Sequence, residues 1–114
     1  MKFSEKLEGA VLVLEIAEPR LEASNAPDLR ELLLGRIENG QEQIILDLKH
    51  VKFMDSSALG ALIGGLKKIG PLGVLALAGA SGAVSQLMQL TRMDKVFRLY
   101  PSADAALIEM VSKE

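Results

Sequence analysis

Hydrophobic and polar positions along the chain follow two alternating patterns. Short runs rich in apolar residues, typical of strands, are separated by segments whose apolar residues recur every three or four positions, as on one side of a helix. The runs predict strands at residues 3–8, 10–17, 44–48, 74–78 and 96–100. The helical stripes are Leu29, Leu32, Leu33 and Ile37; Leu59, Leu62, Ile63 and Leu66; Val84, Leu87, Met88 and Thr91; and Ala106, Leu107, Met110 and Val111.

This order of elements predicts an α/β fold. Strands that alternate with helices imply right-handed crossovers and a mainly parallel sheet covered by helices. The first two strands are an exception, because they are joined at Glu8-Gly9, where glycine can adopt the positive φ of a tight hairpin turn. With 114 residues, of which 49% are hydrophobic and 25% charged, we expect one compact domain over residues 1–114.

Composition argues against several classes of function. A net charge of −2, three Phe, one Tyr and no Trp provide neither the basic surface nor the stacking surface of a nucleic-acid binder. The absence of cysteine rules out disulfides and is compatible with a cytoplasmic location. Residues 69–91 are uncharged over a length that could cross a membrane, but Gly, Pro and Ser interrupt them. We interpret them as strand, turn and helix, and expect no membrane insertion.

Candidate catalytic groups are few. His50 is the only histidine, and no Gly-x-Ser-x-Gly elbow or P-loop sequence accompanies it. Asp47 and Asp55 bracket the loop that contains His50, but a metal site would require further histidine or carboxylate ligands nearby. We therefore interpret His50 as a polar loop residue and Asp47 as the polar end of a strand. No catalytic residue, metal or cofactor is expected, and an enzyme is the weakest interpretation.

The strand at 44–48 leads through a polar loop to Asp55-Ser56-Ser57, where a helix begins. Short side chains with oxygen atoms are common at helix starts, because they accept hydrogen bonds from backbone N–H groups that lack a partner in the helix. Either Asp55 or Ser56 could be this N-cap. Capping serines far outnumber regulatory ones, so spacing alone favours a structural role for Ser56.

The helix after these serines carries a set of small residues beside its apolar stripe. They are Ala58, Gly60, Ala61, Gly64 and Gly65, and they fall on the flanks and the opposite side of the helix. Each glycine inside a helix costs about 1 kcal/mol relative to alanine, so helix stability does not explain them. Close packing against a neighbouring helix and docking of another protein explain them about equally well.

Two motifs resemble a known family. The sequence FMDSSALG at 53–60, between a strand and a helix, and the sequence RLEASNA at 20–26, before the first helix, are similar to the STAS domain family. The similarity is specifically to the bacterial anti-sigma factor antagonists, and the order of elements agrees over nearly the whole chain. The resemblance implies a single STAS-like domain with an N-terminal β-hairpin, a mainly parallel sheet and about four helices.

The resemblance also implies a function. In that family, a kinase that is also the anti-sigma factor phosphorylates the first serine after the aspartate, which here is Ser56. The unmodified domain would bind the kinase, phosphorylation would release it, and a serine phosphatase would reset the domain. ATP and metal would belong to these partners, and a weak homodimer is a further option. The implied partner-binding residues are Glu22, Ser24, Asn25, Asp55, Ser56, Ser57, Ala58, Gly60, Ala61 and Gly64.

Two departures from the family pattern and two other functions accompany this interpretation. Ala58 stands where the family commonly has glycine and Glu22 where it commonly has aspartate, which could alter the choice of kinase. STAS domains also serve as subunits of lipid-transporting ABC systems and in signalling assemblies without a phosphorylation cycle. The presence of both Ser56 and Ser57 favours the phosphorylation switch.

The position of Glu22 leads to one more expectation. In a parallel α/β sheet, the loop at 20–25 should emerge at the same carboxyl edge as the Asp55-Ser56-Ser57 loop. We therefore predict that Glu22 lies close to Ser56 and orients its hydroxyl or contacts the kinase. The alternative is that Glu22 is a solvated loop charge with no role in recognition.

Overall fold

The computed structural model describes residues 1–112, which form seven strands, four α-helices and one short 3₁₀ turn. The predicted helices and hairpin are confirmed. In chain order the elements are β1 (Phe3–Glu8), β2 (Val11–Ile16), β3 (Arg20–Leu21), α1 (Ala26–Glu38), β4 (Gln43–Asp47), β5 (Phe53–Met54), α2 (Ser56–Ile69), β6 (Val74–Ala78), α3 (Gly82–Leu90), the 3₁₀ turn (Met93–Lys95), β7 (Arg98–Tyr100) and α4 (Ala103–Val111).

Five strands form the main sheet, in the order β1-β2-β4-β6-β7. β1 pairs antiparallel with β2 through a turn in which Gly9 has φ +60°, and the other neighbouring strands are parallel. The mainly parallel sheet with an N-terminal hairpin is therefore confirmed. β4 lies at the centre of this sheet, as the apolar run Ile44, Ile45 and Leu46 predicts.

Different helices bury the two faces of the sheet. On one face, alternate residues of β2, β4 and β6 such as Leu14 and Leu46 pack against α1, α2 and α3. On the other face, the intervening residues such as Val13 and Ile45 pack beneath α4. Because β2 and β4 are neighbouring parallel strands, the connections that follow them emerge next to each other at the carboxyl edge of the sheet.

Two short elements differ from the sequence-based expectation. β3 and β5 form a separate parallel pair of two residues each, with Arg20 opposite Phe53. A pair this short has no periodicity that a sequence pattern could reveal. The last strand begins later than predicted, because the 3₁₀ turn precedes it and Phe97 turns into the core.

The contact between α1 and α2 explains most of the small residues on α2 and corrects one interpretation. Ala58, Ala61 and Gly65 are buried. A Cβ atom on Gly65 would lie 3.1 Å from Leu33 Cδ1 and 3.3 Å from Leu75 Cδ2, which is closer than side chains normally pack. Ala58 has no exposed surface and lies in the core rather than on the expected docking face, whereas Ala61 is 4% exposed and lines a depression beside Ser57.

The uncharged segment at 69–91 mainly forms β6 and α3, as expected. Among residues 1–112, no helix combines the length and the apolar composition needed to cross a membrane.

Candidate functional site

The connection after β2 and the connection before α2 are joined by backbone hydrogen bonds. Lys52 N and Phe53 N both donate to the carbonyl oxygen of Pro19, at 2.7 and 3.2 Å, and Asp55 N donates to the carbonyl oxygen of Leu21 at 3.1 Å. The short β3–β5 pair is the centre of this junction. The predicted meeting of the 20–25 loop with the serine loop at one sheet edge is thus observed.

Asp55 uses both of its carboxylate oxygens to hold the junction together. Its Oδ1 accepts a hydrogen bond from Ala58 N at 3.1 Å, which makes Asp55 the N-cap of α2. Its Oδ2 accepts a hydrogen bond from Ala23 N, also at 3.1 Å, in the loop before α1. The choice between Asp55 and Ser56 as the cap is therefore decided in favour of Asp55.

Ser56 and Ser57 are the first two residues of α2, and both are exposed. Within residues 1–112, neither hydroxyl forms a hydrogen bond, and the backbone N–H groups of both serines also have no partner. Unpaired N–H groups at the start of a helix, together with the positive end of the helix dipole, favour an anion at this position. The serine hydroxyls thus have no structural role in the fold.

The loop before α1 is held mainly by Asn25. Its Oδ1 accepts a hydrogen bond from Glu22 N at 2.8 Å, and its Nδ2 donates to the carbonyl oxygen of Arg20 at 2.9 Å. Asn25 occupies the N-cap position of α1, but its side chain does not cap the helix. Ser24 is exposed at the tip of the loop.

Glu22 pairs with a residue that sequence reasoning did not place in the site. Arg20 Nε lies 3.3 Å from Glu22 Oε1, and the Arg20 guanidinium lies over the Phe53 ring, 4.2 Å from its centroid. Within the described residues, Glu22 forms no hydrogen bond with Ser56. Arg20 is the first residue of the RLEASNA motif, and that position is the signal that could have placed it in the site. Its contact with Phe53 has no such signal, because β3 and β5 are too short for a sequence pattern to reveal their pairing.

Gly60 and Gly64 are the two small residues of α2 that remain accessible. A Cβ atom on Gly60 would have no neighbour within 4 Å, whereas one on Gly64 would lie 3.5 Å from Arg30 Nη1. Both glycines follow the serines along the side of α2 next to α1. An accessible strip therefore extends from the serine loop along the contact between the two helices.

A second group of charged residues lies at the same sheet edge. His50 Nε2 is 3.1 Å from Glu15 Oε2, and Lys49 Nζ is 3.4 Å from Glu15 Oε1. The hydrogen bond with His50, together with Lys49, lowers the pKa of Glu15. Asp47 is buried, and its Oδ1 accepts a hydrogen bond from Lys49 N at 3.1 Å. Residues 1–112 contain no group of three His, Asp or Glu side chains placed to hold a metal ion.

Comparison with known proteins identifies the family. Residues 4–106 match the STAS domain, and the chain belongs to the STAS domain family. It is 34% identical over 70 residues to the anti-sigma F factor antagonist of Paenibacillus polymyxa, a match that covers 60% of each chain. It is 31% identical over 72 residues to the anti-sigma-B factor antagonist of Staphylococcus aureus, covering 62% of this chain and 67% of that protein.

A solved structure extends this similarity over the whole fold. The anti-sigma-factor antagonist (STAS) domain protein from Planctomyces limnophilus superposes with a TM-score of 0.86 at 26% identity, covering 96% of this chain and 97% of that one. The arrangement of strands and helices described above is therefore the arrangement of this family.

Proposed function

We propose that this chain is an anti-sigma factor antagonist whose binding to an anti-sigma factor is controlled by phosphorylation of Ser56. One observation carries the proposal: Ser56 is exposed at the start of α2 with an unpaired hydroxyl, because Asp55 caps the helix in its place. A serine that stabilises the helix would have its hydroxyl bonded to the backbone. Similarity to the antagonists of P. polymyxa and S. aureus supports the same role.

A phosphate on Ser56 is compatible with the fold. It adds a charge of about −1.5 to −2 beside the unpaired N–H groups of Ser56 and Ser57, at the positive end of the helix dipole. Its effect on binding is expected to be large, because a partner must desolvate the charged group or place its own acidic groups near it. Phosphorylation therefore acts on docking rather than on folding.

The docking surface consists of the exposed parts of both loops and the accessible strip on α2. Glu22 presents a charge fixed by Arg20, and Asn25 and Asp55 shape the loops from within. Ala58 supports the surface from the core, and the nearly buried Ala61 lines the depression beside Ser57. The residues proposed to contact the partner are Glu22, Ser24, Ser56, Ser57, Gly60 and Gly64.

The proposed circuit needs no catalysis by this chain. The anti-sigma factor is a serine kinase that brings ATP and metal, binds the unmodified domain in the cytoplasm and phosphorylates Ser56. A serine phosphatase removes the phosphate. Residues 1–114 act as one binding domain in this circuit.

Phosphorylation by the cognate anti-sigma factor kinase tests the proposal. After incubation with ATP, mass mapping should place one phosphate on Ser56, and Ser56→Ala should abolish the modification while Ser57→Ala retains it. A phosphate on Ser57, or none from a kinase that modifies another substrate, would contradict the assignment. A permease and an ATPase as the neighbouring genes would favour the lipid-transport subunit instead.

A further inference from the structure

Two cations on neighbouring helices have no partner. Arg30 of α1 and Lys67 of α2 are exposed, and neither forms an ion pair or hydrogen bond with any residue in 1–112. The adjacent Lys68 differs, because its Nζ lies 3.7 Å from Glu38 Oε1. In a chain of net charge −2, Arg30 and Lys67 are a local excess of positive charge.

The two cations line the same groove between α1 and α2. The groove has a volume of about 520 Å³, and Leu34, Ile63 and Gly64 form much of its apolar lining. A Cβ atom on Gly64 would lie 3.5 Å from Arg30 Nη1, so a larger side chain there would take up space in the groove. The groove therefore combines an apolar surface with two unpaired positive charges, and the Lys68–Glu38 ion pair also lines it.

A second depression continues this groove to the serine loop. It has a volume of about 390 Å³, shares Arg30 and Gly60 with the first, and is also lined by Ser57 and Ala23. A side chain on Gly60 would fill open space where the two depressions meet. One continuous channel thus runs from the serines to Lys67.

We propose that this channel binds an acidic amphipathic helix of the anti-sigma factor. Apolar residues of that helix pack on Leu34 and Ile63, and its carboxylates pair with Arg30 and Lys67. The inference rests on the proposed function and deepens it, since it assigns the chemistry of the partner segment that docks next to Ser56.

The chemistry of the channel favours a protein segment over a polyanion. A nucleic acid or an anionic membrane is bound by many cations over a broad surface, whereas the channel offers two unpaired ones. Its lining is partly apolar, which suits the hydrophobic side of a helix. The chain also has few aromatic residues on which bases could stack.

The test compares the parent with Arg30→Glu/Lys67→Glu. The control is Lys95→Glu/Arg98→Glu, which makes the same change of charge at exposed positions near β7. Titration calorimetry with the purified anti-sigma factor should show at least about tenfold weaker affinity for Arg30→Glu/Lys67→Glu than for the parent. This loss of affinity should be smaller at high ionic strength, because salt screens the charges. The control should bind with nearly the affinity of the parent. Both variants should melt cooperatively.

A probe independent of the anti-sigma factor completes the test. A synthetic amphipathic helix of Leu and Glu should shift the amide resonances of Gly60 and Gly64 in the parent and the control, but not in Arg30→Glu/Lys67→Glu. The same peptide with Gln in place of Glu should bind much more weakly. A phosphatidylserine vesicle or a single-stranded oligonucleotide that shifts these resonances at lower concentration would overturn the choice of a protein segment.

The outcomes separate this inference from the proposed function. If Ser56 is phosphorylated and Arg30→Glu/Lys67→Glu binds the anti-sigma factor as tightly as the parent, the channel proposal is wrong and the function stands. If the peptide binds as expected but no kinase modifies Ser56, the function is wrong and the channel chemistry stands. A peptide that leaves Gly60 and Gly64 unshifted overturns the channel proposal.

Discussion

The small residues of α2 fall into two groups that look alike in the sequence and differ in the structure. Ala58, Ala61 and Gly65 are buried between α2 and the rest of the core, and a side chain on Gly65 would crowd Leu33 and Leu75. Gly60 and Gly64 border the open channel, and a side chain on Gly60 would touch nothing. At Ala58, Ala61 and Gly65 the small side chain reflects internal packing. At Gly60 no contact within the fold requires a small residue.

The serine loop shows the same division between neighbouring residues. Asp55 is bonded on both carboxylate oxygens, to Ala58 N and to Ala23 N, so the fold depends on it. Ser56 follows directly and contributes no side-chain hydrogen bond to the fold. A side chain that forms no bond within the fold can be modified without destabilising the protein.

The largest effect is expected for Ala61→Glu. The substitution places a charged side chain at a position that is only 4% exposed in the contact between α1 and α2, which should lower the free energy of unfolding by about 2 kcal/mol or more. Gly60→Glu, one position earlier and exposed, should keep a cooperative transition near that of the parent. Denaturant unfolding of both variants checks the comparison, and equal stability would show that Ala61 is accessible.

Asp55→Ala should have the next largest effect. It removes the helix cap and the bond to Ala23 N, and should cost about 1–2 kcal/mol in unfolding free energy. Ser56→Ala should change the same quantity by less than about 0.5 kcal/mol. If Ser56→Ala were as destabilising as Asp55→Ala, the serine would have a structural role and the proposed switch would lose its main support.

Gly60→Ala should stabilise the protein, whereas Gly65→Ala should not. Alanine at Gly60 gains up to about 1 kcal/mol of helix propensity and meets no neighbour. At Gly65 the same gain is offset by crowding against Leu33 and Leu75. Thermal melts of the two variants measure the difference, and a larger gain at Gly65 would show that the helices are less closely packed there.

Glu22→Ala should affect recognition and leave stability nearly unchanged. The side chain forms an exposed pair with Arg20, which contributes little to folding. We expect severalfold slower phosphorylation of Ser56 with a melting temperature within a few degrees of the parent. The matched control is Glu31→Ala on the exposed side of α1, and equal rates for both variants would remove Glu22 from the docking surface.

The smallest effect concerns pH and the pair of Glu15 with His50. The pKa of Glu15 is lower in the folded protein than in the unfolded chain. Its contribution to stability is therefore fully present when the pH is above the pKa of Glu15 in the unfolded chain, and it is lost as the pH falls through the pKa of Glu15 in the folded protein. Glu15→Gln should therefore be slightly less stable than the parent at neutral pH, and the difference should vanish in acid. The pair is at the surface, so the difference is small. A difference that grows in acid would contradict the assigned direction.

Much of the fold could be predicted from the sequence. The apolar residues Ile44, Ile45 and Leu46 of β4 predict a strand buried on both faces, and the periodic stripes predict the four helices. Burial imposes such a pattern on each element separately. Gly9 marks the hairpin turn for an equally local reason, since its φ is positive. The family motif at 53–60 added the candidate site.

Other features were decided only by the tertiary structure. Asp55 rather than Ser56 caps α2, and its second carboxylate oxygen accepts a hydrogen bond from Ala23 N, which is 32 positions away along the chain. Arg20 and Phe53 meet only because β3 and β5 pair. Ala61 and Gly60 are adjacent small residues in the sequence, and only the position of α1 makes one internal and the other accessible. Helical periodicity determines which residues share a side, but not which neighbour covers that side.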